Sequence, residues 1–480
     1  MNGMRKKLIL AGPLAVVIVA ALAVALSLWS AQARLLRDTR VVTYPAPEGI
    51  AASADTSITV NGAPVFVYET AVNHNRAFIE YPELSTTPVA YFDFQGQADV
   101  GISVPGAQTA VVRPLSLGIR PRVQGGVVRF SLRRPALLTI EVNGDTRRAI
   151  HLFANPLEQD PPQPDDEDVL YFGPGIHDPP VIRVRSGQTL YIAGGAVVRS
   201  RIVADKAQNI RITGRGIIDG SVFDRWTQRN VPIDLRQCQG VNIDGVLLLD
   251  PAGWTINTFA CSDVLIDNVK IISARPNGDG ITTQSCQRFT ARNSFVRSWD
   301  DSLVVKNYGN GTSHDIRFQN ITVWTDLAQS CEIGYETKGP EMHDITFEDI
   351  TVLHNFHKPV LSIHNSDQAR IHDIHYRNIT VEDAQMGEGD AAADNFLIDL
   401  TVAASQWTTS PERGSIENVS FENIRVLSGK SPPSRMAGFD GSHGISGVSI
   451  DGLYILGRRI RTLEEGNFHI LENVEDVKIR

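Results

Sequence analysis

A short pattern recurs through the C-terminal part of the chain, and it restricts the fold more than any other feature of the sequence. In each copy apolar and polar residues alternate on both sides of an Asn, Asp or Gly, as in IRFQNI at residues 316–321. Successive copies start 23 to 31 residues apart, with one step of 45. Self-similarity at about 20–50 residues predicts a stacked architecture. The copies start at Ile210, Val241, Val264, Phe289, Ile316, Ile345, Ile374, Val419, Val448 and Val477, of which Ile210 and Phe289 open weaker copies.

The repeat unit reads as strand, turn and strand, because its apolar residues alternate with a period of two. Asn, Asp and Gly at the break tolerate a left-handed backbone, and stacked Asn side chains can bond to the backbone of the next coil. These features favour an all-β right-handed parallel β-helix. A propeller is the alternative, although its blades need about 40–45 residues each. The 45-residue step predicts a loop around residues 387–393 and one further, unrecognised coil.

Upstream of the repeats the chain has a different character. Residues 41–155 contain short alternating runs separated by Asn-Gly and Gly-Gly turns, such as SITVNG at residues 57–62, which predict an antiparallel β-sandwich. Residues 156–168 are rich in proline and acidic residues, as expected of a linker. The β-helix domain is predicted to occupy residues 169–480, so the 480-residue chain holds two domains.

The N-terminus has the pattern of an export signal. Arg5, Lys6 and Lys7 precede an uncharged, almost wholly apolar stretch at residues 8–29, and AQA at residues 31–33 offers a cleavage site for signal peptidase. The apolar stretch is also long enough to span a bilayer. Residues 1–33 are therefore predicted to be a signal peptide or a membrane anchor. Either alternative places the rest of the chain outside the cytoplasm, in an extracellular or periplasmic location.

Charge and cysteine content exclude several functional classes. The net charge of -9 argues against nucleic acid or a strongly anionic polymer as partner. The four cysteines form no CxxC pair, so neither zinc nor a disulfide framework is indicated. Cys238, Cys261 and Cys286 share one phase of the repeat, which favours a buried stack over a disulfide between coils. Cys331 is the fourth, and the chain is expected to act as a monomer without a cofactor.

Two short acidic motifs, here called the acidic stations, lie one repeat apart in the sequence. The first is NGDG, which contains Asn277 and Asp279, and the second is WDD, in which Asp300 and Asp301 follow Trp299. Counting back from the repeat starts places Trp254, Asp279 and Asp301 in one column at the entrance of a strand. Adjacent coils are about 4.8 Å apart, so this register brings three carboxylates together. A second column at the far end of the strands is too polar for the interior of a solenoid and is expected to line an outer face. Its members are Phe259, Gln284, Lys306, Glu336 and His364.

Carboxylates held close together raise one another's protonation free energy, so this clustering favours a chemical role over simple turn capping. One protonated acid and one or two carboxylates suit hydrolysis of an acetal bond. Asp279, Asp300 and Asp301 are the predicted catalytic residues, with calcium binding by the same cluster as the main competing hypothesis. The predicted substrate-binding residues are Asn277, Trp254, Trp299, Gln284, Lys306, Tyr335, Glu336 and His364.

The two stations resemble the signature of polygalacturonase-like enzymes of glycoside hydrolase family 28, and also that of the dextranases and isopullulanases of family 49. The resemblance covers roughly residues 170–480 and implies a right-handed β-helix and an inverting mechanism; family 49 adds an N-terminal β-sandwich. It also implies that Asp300 is the general acid and that Asp279 and Asp301 hold the attacking water. An inverting site needs acid and base carboxyls about 6.5–9.5 Å apart.

Two stations depart from the polygalacturonase pattern. Ala328-Gln329-Ser330 stands where those enzymes have Gly-His-Gly, and residues 362–364 read SIH where they have the Arg-Ile-Lys that grips the uronate carboxylate. These departures predict a neutral or differently decorated polysaccharide or oligosaccharide instead of pectin. A polysaccharide lyase or uronate epimerase is the second hypothesis, with Arg236 and Lys306 as its basic groups. A glycan-binding β-helix without catalytic activity is the third.

Overall fold

A computed structural model describes residues 39–45, 47–225, 230–385 and 395–480 of the chain. The predicted signal or anchor (residues 1–33) and the loop at 387–393 lie outside the described residues. In the part of the chain that is described, no helix has the length and apolar character that crossing a bilayer requires.

The N-terminal strands form two mainly antiparallel sheets that enclose an apolar core, as predicted for a β-sandwich. One sheet has the order β1-β5-β11-β10-β7, with β4 on β5, and the other has the order β3-β2-β6-β9-β8. A single 3-10 turn, Leu115–Leu117, follows β7. The strands are β1 (Arg40–Val42), β2 (Ser57–Val60), β3 (Ala63–Val65), β4 (Val67–Val72), β5 (Ser85–Gln95), β6 (Ala98–Ser103), β7 (Ala110–Arg113), β8 (Arg122–Gln124), β9 (Val127–Leu132), β10 (Ala136–Val142) and β11 (Ile150–Pro156).

The following strands wind into a right-handed parallel β-helix. They are β12 (Val169–Phe172), β13 (Gly175–His177), β14 (Ile182–Arg183), β15 (Thr189–Ile192), β16 (Ala196–Val198), β17 (Ile202–Asp205), β18 (Gln208–Gly214), β19 (Ile217–Asp219), β20 (Ile233–Arg236), β21 (Gln239–Asp244), β22 (Leu247–Leu249), β23 (Ile256–Phe259), β24 (Ser262–Asp267), β25 (Lys270–Ile272), β26 (Ile281–Gln284), β27 (Gln287–Arg292), β28 (Phe295–Ser298), β29 (Leu303–Asn307), β30 (Ser313–Gln319), β31 (Thr322–Thr325), β32 (Cys331–Thr337), β33 (Glu341–Glu348), β34 (Thr351–Asn355), β35 (Leu361–Asn365), β36 (Arg370–Arg377), β37 (Thr380–Val381), β38 (Ile398–Val402), β39 (Ser415–Val426), β40 (Ser434–Ala437), β41 (Ile445–Ile455), β42 (Arg458–Arg459), β43 (Phe468–Ile470) and β44 (Val474–Ile479).

Most coils contribute three strands, and every third strand belongs to one parallel sheet of 11 strands, here called the site sheet. Its order is β14-β17-β20-β23-β26-β29-β32-β35-β38-β40-β43. The remaining strands form a continuous 22-stranded sheet around the other side of the coil, which closes the solenoid over an apolar interior.

All ten predicted repeat starts pair with one another in the predicted order, which confirms the register of the repeat. The 45-residue step hides no additional coil, because His375 pairs directly with Ser420 across it. That part of the prediction is wrong: one coil carries long connections around β38. Two coils upstream of Ile210, β12–β14 and β15–β17, were not recognised from the repeat.

The turn residues of the repeat have the predicted left-handed backbone; φ is 51° at Asn320 and 55° at Asn378. Their side chains bond to the side chain on the next coil and not to its backbone, as where Asn320 donates to Asn293 over 2.7 Å. Inside the solenoid Cys238, Cys261 and Cys286 follow one another as buried free thiols, so the predicted cysteine stack is confirmed.

The sandwich packs against one face of the 22-stranded sheet. Phe153 and Tyr91 of the sandwich join an apolar cluster with Phe295 and Trp324 of the β-helix. A buried ion pair between Arg297 and Asp326 (2.9 Å) lies in the same interface. This contact brings the loops of the sandwich beside the loops that lead into the site sheet.

Candidate active site

The two acidic stations lie on loops that lead into neighbouring strands of the site sheet. Asp279 precedes β26, and Asp300 and Asp301 precede β29. The Gly280 N–H donates to the Asp301 carbonyl over 2.8 Å and so joins the two loops. A Cβ at residue 280 would lie 2.5 Å from the Ser302 carbonyl oxygen, so only glycine permits this close approach.

Strand pairing confirms the predicted entrance column. Ile256 of β23 pairs with Ile281 of β26, which pairs with Leu303 of β29. The residues two positions before these three are therefore aligned on consecutive coils: Trp254, Asp279 and Asp301.

Asp279 lies deep in the cluster, with 3% of its surface exposed. Burial raises its pKa well above the ordinary range, and the charges of Asp300 and Asp301 raise it further. Lys306 opposes this effect, because its Nζ lies 3.9 Å from Asp279 Oδ2. A carboxyl in this environment retains its proton to higher pH than an exposed one.

Asp301 is buried beside it. Burial, together with the charges of Asp300 and Glu332, raises the pKa of Asp301 to about 7. The Gln329 backbone N–H donates to Asp301 Oδ1 over 3.0 Å, which holds the carboxyl in place and partly offsets the shift.

Asp300 differs from the other two because it is only half-buried. Each of its oxygens accepts a backbone N–H: Oδ2 from Asn277 over 2.9 Å and Oδ1 from Asp301 over 3.1 Å. Asn277 has a left-handed backbone, with φ of 59°, and its Oδ1 accepts a hydrogen bond from Arg225 over 2.5 Å. The carboxyl group of Asp300 is thus fixed in orientation while part of it faces solvent.

Lys306 is the cation of the cluster. Its Nζ lies 2.9 Å from Glu336 Oε2 and 5.3 Å from the centre of the Trp254 ring. The Tyr308 hydroxyl also donates to Glu336, over 2.8 Å. Burial alone would lower the pKa of Lys306, but Glu336 and Asp279 raise it well above the ordinary range, so the side chain stays charged.

The far column follows the prediction as far as Lys306 and then departs from it. Phe259 pairs with Gln284, and Gln284 with Lys306. In the next strand a bulge shifts the register between Val305 and Asn307, and this bulge brings Glu336 to Lys306. The prediction that His364 continues the column after Glu336 is wrong, because His364 pairs with Gly334.

This column lies outside the apolar interior of the solenoid, as expected, but four of its members are buried and not exposed. Gln284, Lys306, Glu336 and His364 are 2%, 7%, 8% and 4% exposed. Gln284 donates to Asn257 over 2.5 Å, so its amide group is bonded within the protein. Opposite charges in direct contact, as at Lys306 and Glu336, make such burial tolerable.

His364 lies in a separate buried charge cluster next to the catalytic loops. Its Nδ1 is 2.8 Å from Glu332 Oε1, and its Nε2 is 3.2 Å from Asp399 Oδ2. Burial alone would lower the pKa of His364, but the two carboxylates raise it to about 10. The Tyr335 ring stacks on the imidazole with centroids 4.3 Å apart. Tyr335 itself is half-buried, and its hydroxyl accepts a hydrogen bond from the side chain of Gln329.

The two tryptophans have different positions. Trp254 is half-buried beside Lys306, where a sugar ring can reach it. Trp299 is fully buried, its Nε1 donates to the Asn75 carbonyl of the sandwich over 3.1 Å, and Phe78 packs against it. Trp299 therefore cannot stack on substrate in this conformation, and that prediction is wrong; instead it anchors the loop of Asp300.

Several residues of the site were missed by sequence reasoning. Glu332 and Asp399 each stand between two apolar residues in a strand of the site sheet, which was the available signal for an outward-facing charge. The bulge in β32 and the long coil around β38 prevented a correct alignment of these two residues with the repeat. Gln329 holds Asp301 and donates to the Tyr335 hydroxyl over 3.4 Å. Arg225 lies outside the repeat and gave no signal.

The calcium hypothesis gains no support from the geometry. Within the described residues no group of three or more His, Cys, Asp or Glu side chains is arranged to hold a metal ion. The ammonium group of Lys306, between Asp279 and Glu336, occupies the place where a cation would bind the carboxylates.

Comparisons with known proteins identify the family and the fold. The family model for Glycosyl hydrolases family 28 matches residues 182–462. Among solved structures, Dex49A from Penicillium minioluteum has a TM-score of 0.58 at 15% identity, covering 92% of this chain and 96% of its own. At this identity the likeness shows the fold alone.

Two further solved structures are similar over different lengths. The exopolygalacturonase from Thermotoga maritima has a TM-score of 0.46 at 16% identity over 61% of this chain and 84% of its own. The family 28 exopolygalacturonase from Yersinia enterocolitica has a TM-score of 0.48 at 12% identity over 92% and 96%. No curated protein matches significantly. Because the family model covers more than half of the chain, this protein is a glycoside hydrolase that belongs to Glycosyl hydrolases family 28.

Proposed function

We propose that this protein is an exported enzyme that hydrolyses O-glycosidic bonds in a polysaccharide with inversion at the anomeric carbon. The observation that carries the proposal is the cluster of Asp279, Asp300 and Asp301, in which burial and mutual repulsion raise two carboxyl pKa values. Such a cluster retains a proton near neutral pH, and acid-catalysed cleavage of an acetal needs that proton.

In the proposed reaction the proton that the three carboxyls retain is delivered to the leaving oxygen through Asp300, which leaves Asp279 and Asp301 ionised. Asp300 is the carboxyl of the three that is only half-buried, so a glycosidic oxygen can reach it. Water attacks the anomeric carbon from the opposite face as the C–O bond breaks, and it passes a proton to the pair Asp279 and Asp301. Room for that water between acid and base is what distinguishes inverting from retaining enzymes.

The proposed substrate is a neutral glycan. A polyuronate carries one carboxylate per sugar and needs an unpaired cation at each subsite. Lys306 is held by Asp279 and Glu336, and His364 by Glu332 and Asp399. With their charges already neutralised, both cations attract a uronate weakly, whereas hydroxyl groups can still bind to such polar side chains.

A screen for reducing-sugar release tests the reaction. Wild-type protein and Asp300→Asn are incubated with dextran, starch, a mixed-linkage β-glucan, xylan and polygalacturonate. We expect release from a neutral glycan by wild type and at least a hundredfold loss in the variant, as is typical when a general acid is removed. Proton NMR of the first product gives the anomer, and a retained configuration would contradict inversion.

The same screen separates the alternatives. A rise in ultraviolet absorbance from an unsaturated uronate would indicate a lyase and overturn the proposal. Glycan binding without release of reducing ends, unchanged in Asp300→Asn, would indicate a binding protein.

Export is proposed from the sequence of residues 1–33. Fractionation of cells that express the full chain tests it, with mass spectrometry of the N-terminus. We expect the protein outside the cytoplasm, either cut after residue 33 or attached to the membrane. Recovery of the uncut chain from the soluble cytoplasm would contradict this part of the proposal.

A further inference from the structure

The loop between β4 and β5 of the sandwich, residues 73–84, reaches the loops that carry the acids. Asn73 donates to the Ala274 carbonyl over 3.0 Å, on the loop of Asp279. The carbonyl of Asn75 accepts the Trp299 Nε1–H, next to Asp300. The loop of the sandwich is thus held at both catalytic stations, which lie about 200 residues away in sequence.

Arg225 adds a third attachment. Its Nη1 lies 3.4 Å from Glu80 Oε1, and its guanidinium lies 5.9 Å from the centre of the Phe78 ring. The same guanidinium donates to Asn277 Oδ1 over 2.5 Å. Because the Asn277 backbone N–H in turn donates to Asp300, Phe78 is linked to the catalytic acid through three contacts.

The exposed part of this loop carries three large apolar side chains beside the charged Arg76, Glu80 and Glu83. Phe78, Ile79 and Tyr81 are 50%, 43% and 80% exposed. Contiguous exposed apolar side chains beside a polar groove mark a ligand-binding surface more often than an inert one. The ring of Phe78 cannot turn inward, since Trp299 packs behind it with ring centroids 5.9 Å apart.

We propose that residues 78–81 form a wall of the substrate groove, on which Phe78 and Tyr81 stack against sugar rings next to the bond cleaved at Asp300. This inference rests on the proposed function. The faces of a pyranose ring carry C–H groups, which pack against aromatic rings, while its hydroxyl groups point sideways to polar neighbours. The sandwich is then part of the active site and not only a support for the β-helix.

The test measures glycan binding and hydrolysis in Phe78→Ala and Tyr81→Ala. Phe78→Trp retains a stacking surface, and Phe439→Ala is the matched control, since Phe439 is also 52% exposed but lies in the C-terminal coils. Loss of one stacking ring is expected to raise KM about threefold to tenfold, with kcat within about twofold of wild type. Phe78→Trp is expected to raise KM less than Phe78→Ala does, and Phe439→Ala is expected to keep the wild-type KM.

Binding is measured separately by native electrophoresis in gels that contain each of the five polysaccharides, using Asp300→Asn as the parent. The two alanine variants in that parent should migrate faster than it does in the gel of the true substrate. Unchanged KM and unchanged migration in both alanine variants would overturn the proposal even if wild type hydrolyses a glycan. A wild-type protein that hydrolyses none of the five polysaccharides would refute the proposed function. Even then, a polysaccharide that slows the parent in the gel but not the two alanine variants would support the aromatic wall.

Discussion

Asp301→Asn is expected to make the protein more stable while removing its activity. Burial and neighbouring charges raise the pKa of Asp301 from 3.8 to about 7. In the unfolded chain the same carboxyl ionises near pH 4. Between about pH 4 and pH 7 the folded protein therefore binds one more proton than the unfolded chain, and its free energy of unfolding falls as pH rises.

The size of the effect follows from the shift. Each unit of pKa corresponds to about 1.4 kcal/mol, so ionised Asp301 destabilises the fold by about 4 kcal/mol above pH 7. Asn has nearly the same shape, still accepts the Gln329 N–H, and does not ionise. The stability difference between variant and wild type should therefore grow from near zero at about pH 4 to about 4 kcal/mol at pH 8.

Urea unfolding followed by tryptophan fluorescence measures this difference, because Trp299 and Trp324 are fully buried. The control is Asp451→Asn, the same change at a side chain that is 65% exposed and lies outside the cluster. A difference that stays constant from pH 4 to pH 8 in Asp301→Asn would mean that Asp301 ionises like an exposed carboxyl, and it would refute the reasoning.

Three further substitutions test other parts of the site. Lys306→Met leaves two buried carboxylates without their cation, so we expect a loss of about 3–5 kcal/mol of stability in urea and a large fall in kcat. Arg225→Ala releases the loop of Asn277; kcat should fall about tenfold while the unfolding midpoint changes little, and Arg225→Lys should restore part of the rate, measured by steady-state kinetics. His364→Gln removes a group whose pKa is raised to about 10. The stabilisation that it supplies is complete below about pH 6.5 and disappears as pH rises through 10, so the variant should be destabilised more at pH 6 than at pH 10 in urea unfolding; an equal loss at both values would contradict the charged state of His364.

The stacking of the acids was predictable because it depends on local rules. Period-two alternation fixes which residues face the core, and the left-handed turn residues fix where each copy begins. When the apolar residues and the turn residues of two successive copies are aligned, Asp279 and Asp301 fall at the same position of the coil. The pairing of Ile281 with Leu303 shows this alignment. The same rules missed β12 and β15, because GPG at residues 173–175 and AGG at residues 193–195 follow these strands where the repeat has a polar residue and one Asn, Asp or Gly.

The surroundings of the acids were not predictable, because they depend on contacts between distant segments. The hydrogen bond from Trp299 to Asn75 joins residues 224 positions apart, and no periodicity encodes it. Trp299, which was predicted from the sequence to stack on a sugar ring, therefore joins the sandwich to the β-helix. Similarly, Asp399 lies beside His364 because the 45-residue step forms one long coil and not two, so that β38 pairs directly with β35.

The bulge in β32 links the fold to the chemistry. Regular pairing beyond Val305 would place Gly334 opposite Lys306, and the lysine would then contact Asp279 alone. The two additional residues of the bulge bring Glu336 within 2.9 Å of Lys306. Glu336 thus competes with Asp279 for the ammonium group of Lys306, and its charge helps to raise the pKa of Asp279. Because burial and neighbouring charges raise the pKa of Asp279 and Asp301, the cluster retains a proton to higher pH than exposed carboxyls do. The bulge in β32, which the repeat pattern did not predict, therefore helps the acidic cluster to retain the proton that general acid catalysis requires.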